Sequence, residues 1–182
     1  MTSESAKELA ELIIRCSKNE QKAHKRLFDI LSPKMYAICL RYAKNSDDAK
    51  DFLQEGFIKL FKNLHQFQGK GSFEGWVKKI FINNCIEHYR KLQKRFLNTD
   101  IEDCPETIIQ PSTIDKLKEL DLMQIIQQLP LGYRTVFNLF AIEGYTHEEI
   151  ASQLNISVNT SKSQLFKARQ HLQEIILKQN LK

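Results

Sequence analysis

Two sets of side chains in this sequence are of types that could make or break bonds, and both fail on spacing. The cysteines Cys16, Cys39, Cys85 and Cys104 lie far apart, with no Cys-x-x-Cys pair and no neighbouring histidine cluster. They spell neither a disulfide framework nor a zinc site, and three of them fall in apolar helical stretches where a thiol acts as a small hydrophobe. Cys85 and His88 stand three apart, as on one helical face, but a thiol nucleophile also needs an orienting group and an oxyanion donor, and neither is in view. His147-Glu148 begins a His-Glu-x-x-His pattern, yet Ala151 occupies the position of the second histidine, so the zinc-protease reading fails. A non-covalent chemistry is written further on. Asn159, Thr160, Lys162, Ser163, Phe166, Lys167 and Gln170 share one side of a helix, with Val158, Leu165, Ala168, Leu172, Ile175 and Ile176 on the other. Hydroxyls, an amide and ammonium groups near the start of a helix suit phosphates and base edges in a major groove, and an outward phenyl ring suits a thymine methyl.

These residues need a scaffold, and the local signals for one are dense. Thr146-His147-Glu148-Glu149 is a capping box, opening a short helix to about Gln153. Leu154-Asn155-Ile156 makes a tight turn, with Asn155 where a left-handed residue is wanted. Ser157 caps the next helix, which runs to about Lys178, and Ala151 is small enough for the two helices to cross closely. This is the spacing of a helix-turn-helix.

Upstream the periodicity is also helical. Stretches from about Ser5 to Ser17 and from about Glu20 to Lys44 read as helices, the second interrupted near Pro33. Asn45-Ser46-Asp47 offers a helix start, followed by an apolar stripe of Leu53, Phe57, Leu60, Phe61 and Leu64. Gln68 to Ser72 is a turn-rich loop. Phe73, Trp76, Val77 and Ile80 begin another stripe that ends in a basic run up to Arg95. After the acidic segment helices resume near Thr113, and a single helix is expected from Leu131 to Glu143, closed by Gly144. No stretch alternates with a period of two, so the expected fold class is all-α.

The 182 residues carry 27 Lys+Arg and 22 Asp+Glu, a formal +5. That sum hides three parts. Residues 1–95 hold 19 basic and 11 acidic side chains (+8), residues 96–119 hold 2 and 6 (−4), and residues 120–182 hold 6 and 5 (+1). The pattern predicts two small helical domains, 1–95 and 120–182, joined by an acidic linker, 96–119, with Asp100, Glu102, Asp103, Glu106, Pro105 and Pro111. A basic half is the footprint of a phosphate-rich partner. Six Gly and four Pro disfavour a β-sandwich or a Gly-looped nucleotide site. No run of about 18 apolar residues suggests a membrane helix, and the first residues do not read as a secretory signal, so a cytoplasmic protein without membrane insertion is expected.

Three motifs now combine. Leu129-Pro130 through Gly144-Tyr145-Thr146-His147-Glu148-Glu149-Ile150-Ala151, then Leu154-Asn155-Ile156-Ser157-Val158-Asn159-Thr160-Ser161-Lys162-Ser163 and Lys167-Ala168-Arg169, resembles the promoter-binding C-terminal domain of bacterial sigma factors. Asp48-Ala49-Lys50-Asp51-Phe52-Leu53-Gln54-Glu55 resembles their core-polymerase-binding helix. Phe67-Gln68-Gly69-Lys70-Gly71-Ser72-Phe73-Glu74-Gly75-Trp76, with Ile80 and Asn83, resembles the segment that melts and reads the -10 element. The order is right across most of the chain, and the length matches the two-domain extracytoplasmic-function (ECF) type.

The resemblance implies roles. Asp51, Gln54 and Glu55, with Arg41 on the preceding helix, would pair with core RNA polymerase. Phe67, Ile80 and Asn83 would line a pocket for a flipped base, whose unstacking costs a few kcal/mol that the pocket must offset. Lys78, Lys79, Arg90, Lys91, Lys94 and Arg95 would hold phosphates of the melted region, while Phe73 and Trp76 belong to packing. Lys162, Ser163, Phe166 and Lys167 would read the -35 element, Asn159 and Thr160 would hold a backbone phosphate at the helix N-terminus, and Arg169 would serve phosphate or structure. The linker would run near the RNA exit path, its charge mimicking nucleic acid.

Four positions depart from the family pattern. Ser161 stands for a Val on the buried side, Gly56 for an apolar residue, Ile82 for a basic one and Asn159 for a Gly. Gly56 would weaken its helix by about 1 kcal/mol relative to Ala. The function implied is promoter-specific initiation with core RNA polymerase and promoter DNA as partners, and an anti-sigma factor as the usual inhibitor. No enzymatic activity, cofactor or metal is expected. Two competing readings are a stand-alone helix-turn-helix regulator, which would need no polymerase, and an adaptor that binds polymerase without opening DNA.

Overall fold

Helical periodicity carries through to the structure, a computed structural model in which residues 3–97 and 119–180 are described. Among them run α1 (Ser3–Ser17), α2 (Gln21–Tyr42), α3 (Ser46–Asn63), a 3-10 turn (Leu64–Gln66), α4 (Phe73–Leu97), α5 (Glu119–Gln127), α6 (Leu131–Phe137), a π-helical turn (Asn138–Ile142), α7 (His147–Leu154) and α8 (Val158–Asn180), with no strand among the described residues. The fold is all-α, as expected. Most of the acidic linker, with Cys104, lies outside the described residues.

Three expectations need correction. Pro33 does not interrupt its helix; α2 is continuous from Gln21 to Tyr42. A proline frees the carbonyl four residues back, here that of Asp29, and both residues are exposed, so water can solvate that carbonyl. The single helix expected from Leu131 to Glu143 is divided. After Phe137 the backbone widens, Glu143 N donating five residues back to Asn138 O at 3.0 Å. Tyr145 N then donates to Leu139 O at 3.0 Å, and Gly144 closes the turn at φ +78°. In α8, Ile176 is 41% exposed and not part of the buried stripe. The buried side advances through Ser161, Leu165, Ala168 and Leu172 to half-buried Ile175, and the next residue turns about 100° away.

The packing divides into two units. The first comprises residues 1–39 and 47–84, the second residues 40–46 and 85–182, so α2 and α4 thread through both. In the first unit Leu27, Leu31, Met35, Leu60, Val77 and Phe81 are core residues. Asn84 is buried beside them, its Nδ2 donating to Phe52 O at 3.1 Å and tying α4 to α3. Phe81 meets Phe57 edge to face, with ring centroids 5.2 Å apart.

Gly56 takes its meaning from this ring. A Cβ at position 56 would stand 2.3 Å from Cε1 and 2.5 Å from Cδ1 of Phe81. The volume that an apolar side chain would fill from α3 is filled from α4 instead. Loss of helix propensity at Gly56 is the smaller effect, because a methyl group there must displace a buried ring.

In the second unit Ile125, Leu129, Ala168 and Leu172 form a core cluster with Tyr133, Phe137 and Ile175 packed against it. Arg134 is buried, and its Nη1 donates to Gln127 O at 2.9 Å, closing the corner between α5 and α6. α8 packs against α5, α6 and α7.

Gly56→Ala is therefore expected to destabilise the protein by about 1–3 kcal/mol through overpacking, although helix propensity alone favours it. A lower midpoint in thermal unfolding would register this, and adding Phe81→Leu should recover part of the loss. A midpoint that rises in Gly56→Ala would contradict the contact.

Candidate nucleic-acid interface

The helix-turn-helix forms from the signals that encode it. Thr146 Oγ1 accepts from Glu149 N at 3.2 Å while Thr146 N donates to Glu149 Oε2 at 2.8 Å, completing the capping box. Asn155 sits at φ 59°, ψ 44° and its N–H returns to Ala151 O. Ser157 Oγ accepts from Thr160 N at 2.9 Å, capping α8. The hydroxyls of Ser157 and Thr160 also share a hydrogen bond at 2.8 Å, so half-buried Thr160 is engaged in its own cap.

On α8 most of the expected outward side chains are exposed, with Thr160 half-buried and Ile176 turned out of the buried stripe. Asn159, Lys162, Ser163, Lys167 and Gln170 are exposed, and Phe166 is 62% exposed. The opposite side holds Ser161, fully buried, whose Oγ shares a hydrogen bond with His147 Nδ1 at 2.9 Å. The His147 ring stacks on Phe140 at 4.5 Å and 22°, and the Arg169 guanidinium lies 6.0 Å from the same Phe140 ring. A chain of contacts from Arg169 through Phe140 and His147 to Ser161 thus fastens the start of α8 to α7 and the π turn. The serine at position 161 is satisfied by a partner from α7.

The second group of candidates lies around the start of α4. Phe67 follows the 3-10 turn and packs its ring 5.0 Å from Phe73 and 5.4 Å from Trp76. Phe73 is buried and Trp76 half-buried, in keeping with packing roles. The loop that follows Phe67 carries Gly69 and Gly71 at φ +72° and +84°. Ile80 is half-buried and Asn83 exposed, one turn apart on α4, with Lys79 exposed just before Ile80. Lys91 and Lys94 are exposed further along, while Ile82 is buried in the core. Arg90 turns its Nε to the carbonyl of Gln153. The side chain of Arg95 lies outside the described residues.

The third group is on α3. Asp51 and Gln54 are exposed and Glu55 half-buried, all within one turn. Beside them is a feature the periodicity left out, an apolar groove of about 350 Å³ between Phe28, Leu53, Phe57, Ile58 and Phe61, edged by Lys50 and Gln54. Ile58 is 60% exposed. Its signal in the sequence was an isoleucine off the stripe of Leu53, Phe57, Leu60 and Phe61. Arg41 does not join this turn, because its Nη2 donates to Glu143 Oε1 at 2.7 Å.

Comparison with known proteins decides the family. Residues 27–95 match the model for Sigma-70 region 2, and residues 119–172 match that for Sigma-70, region 4. The RNA polymerase sigma-H factor of Pseudomonas aeruginosa is 29% identical, over 97% of this chain and 96% of its own. The ECF RNA polymerase sigma factor SigW of Bacillus subtilis is 30% identical over 89% and 93%. The chain belongs to the ECF sigma factors. Among solved structures, the sigma factor RpoE of Bartonella quintana, crystallised in complex with the anti-sigma factor NepR, shares the fold at TM-score 0.50 and 22% identity, over 84% of this chain and 95% of that one.

As an ECF sigma factor the protein is a promoter-specific transcription initiation factor, and a stand-alone regulator is not favoured. Within this ECF sigma factor the buried Ser161–His147 bond is a structural tie behind the outward side of α8. Ser161→Ala should lower stability by about 1 kcal/mol through loss of that bond, measured as a shift in denaturant midpoint. An unchanged midpoint would mean the bond contributes nothing.

Proposed function

We propose that this ECF sigma factor binds core RNA polymerase through α3, opens promoter DNA with the segment from Phe67 to Lys91, and reads the -35 element with α8. In this division residues 1–95 form the polymerase-binding and -10 domain, 96–119 the acidic linker and 120–182 the -35 domain. The observation that carries the DNA-reading half is the outward side of α8, where Phe166 stands exposed among Lys162, Ser163 and Lys167 on a capped helix. An exposed aromatic beside ammonium groups suits a thymine methyl flanked by base edges and phosphates. Asn159 and Thr160 begin the helix, where backbone N–H groups favour a phosphate.

Strand opening rests on Phe67, Ile80 and Asn83 for a flipped base, with Lys79, Lys91 and Arg90 for phosphates. Asp51, Gln54 and Glu55 offer polymerase a polar, partly anionic turn. The neighbouring groove with Phe28 and Ile58 offers apolar area to the same partner, with Arg41 added when it is free of Glu143.

The protein performs no bond chemistry itself and works in the cytoplasm. No helix among the described residues is long and apolar enough to cross a membrane. The Bartonella quintana factor is held by an anti-sigma factor, and a protein of that kind is the inhibitory partner we assign here.

Run-off transcription with core polymerase across a promoter library tests the reading, which fails if initiation stays at the level of core alone. Lys162→Ala and Lys167→Ala should each weaken use of the upstream element, a base contact being worth about 1–3 kcal/mol of discrimination. Asn83→Ala should reduce permanganate reactivity of unpaired thymines while polymerase affinity is kept. If affinity falls instead, Asn83 belongs to the polymerase face.

A further inference from the structure

The last turn of an α-helix leaves carbonyls without intrahelical donors. At the end of α2 two of them are taken from far along the chain, within the second unit. Gln127 Nε2, at the end of α5, donates to Leu40 O at 3.0 Å. Asn138 Nδ2, the first residue of the π turn, donates to Arg41 O at 2.7 Å. The Arg41 side chain is taken as well, by Glu143, with 18% of the arginine side chain and 2% of the glutamate side chain exposed.

Three side chains thus recognise one turn by two carbonyls and a cation. The π turn is what aligns two of them. Its wider winding bonds residue 143 to residue 138, so Asn138 and Glu143 present to the same turn of α2. A carboxylate buried to this degree is strongly destabilised without its cation, so this pairing is more than an incidental surface contact. A second cation is similarly held, Arg90 donating to the Gln153 carbonyl in α7.

We propose that Gln127, Asn138 and Glu143 form a self-inhibitory clasp on Leu40 and Arg41, which keeps the free factor from engaging core RNA polymerase until the clasp opens. The inference rests on the reading above, in which Arg41 serves polymerase and Arg90 the melted strand. While clasped, Arg41 cannot pair with polymerase and Arg90 cannot hold a phosphate. A binding-competent form populated only in part lowers the apparent affinity by that fraction, so loosening the clasp tightens binding without touching the binding face.

The test uses the full chain and core polymerase. Glu143→Gln keeps the shape of the side chain but removes its charge. Gln127→Ala, a second variant, leaves the ion pair and the core in place. Each should speed hydrogen exchange in residues 40–46 of the free protein and lower the apparent Kd for core polymerase about fivefold, the factor for one contact of ordinary strength. Run-off transcription at sub-saturating factor should rise by a similar factor, and at saturating factor it should match wild type.

If exchange in 40–46 is unchanged in both variants, the clasp is absent and the proposal fails. Faster exchange with no gain in polymerase affinity also overturns it, because the contact would then hold the fold without restraining function. If the wild-type protein does not bind polymerase at all, the functional reading falls and the clasp's role with it. Variants that bind no better than an active wild type overturn the clasp alone.

Discussion

A chain built of short helices must find partners for the ends of every one of them. Each α-helix leaves N–H groups at its start and carbonyls at its finish, and buried polar groups left unpaired are costly. This constraint explains much of what is specific here. Thr146 with Glu149, and Ser157, cap the two helices of the helix-turn-helix from within. Asn155 takes a left-handed conformation to turn between them. Arg134 enters the core because the end of α5 needs a donor for the Gln127 carbonyl. The end of α2 is met by Gln127 and Asn138, from elements that follow it by some 90 residues in the chain. The same requirement that makes a local cap in one place makes a long-range contact in another.

Local caps were legible in the sequence because donor and acceptor lie within a few residues of one another. The capping box, the Asn turn and the outward side of α8 could all be read directly, and the motif resemblance assigned them to a family. Long-range terms were not legible in this way. Pro33 reads as a break because the rule for proline is local, but its cost depends on whether the freed carbonyl meets water. Gly56 reads as a weak point in α3 until Phe81, from the next helix, is found against it. Ser161 reads as a misplaced polar residue until His147 supplies a partner. Arg41 pairs with Glu143, 102 residues away, and no local pattern announces that partner. In each case the deciding fact is a neighbour in space, which local pattern does not name.

Charge also looks different with the fold in hand. The excess of basic residues sits in 1–95, while the helix-turn-helix half is almost balanced. In the proposed reading, long-range attraction to DNA is therefore weak at α8, and affinity there rests on the few side chains that α8 turns outward. They stand on a well-packed helix. Behind Lys162 and Ser163 the helix is pinned by Ser161, and behind Phe166 by Leu165 and Ala168, all buried. Under that proposal a nearly neutral reader on a packed backing would gain selectivity by geometry, with the basic half supplying more of the attraction to phosphate.

The π turn at Asn138–Ile142 has one more consequence. A π turn amounts to one residue more than the α-helix would use, and it lies between α6 and the pair α7–α8. Removing a single residue there would return the turn to α geometry with the flanking helices near their present phase, because the wider winding is what absorbs the extra residue. What would be lost is the facing of Asn138 and Glu143 across five residues, and with it the simultaneous reach of both side chains to the last turn of α2. The length of this stretch, more than its composition, sets which two side chains meet that turn.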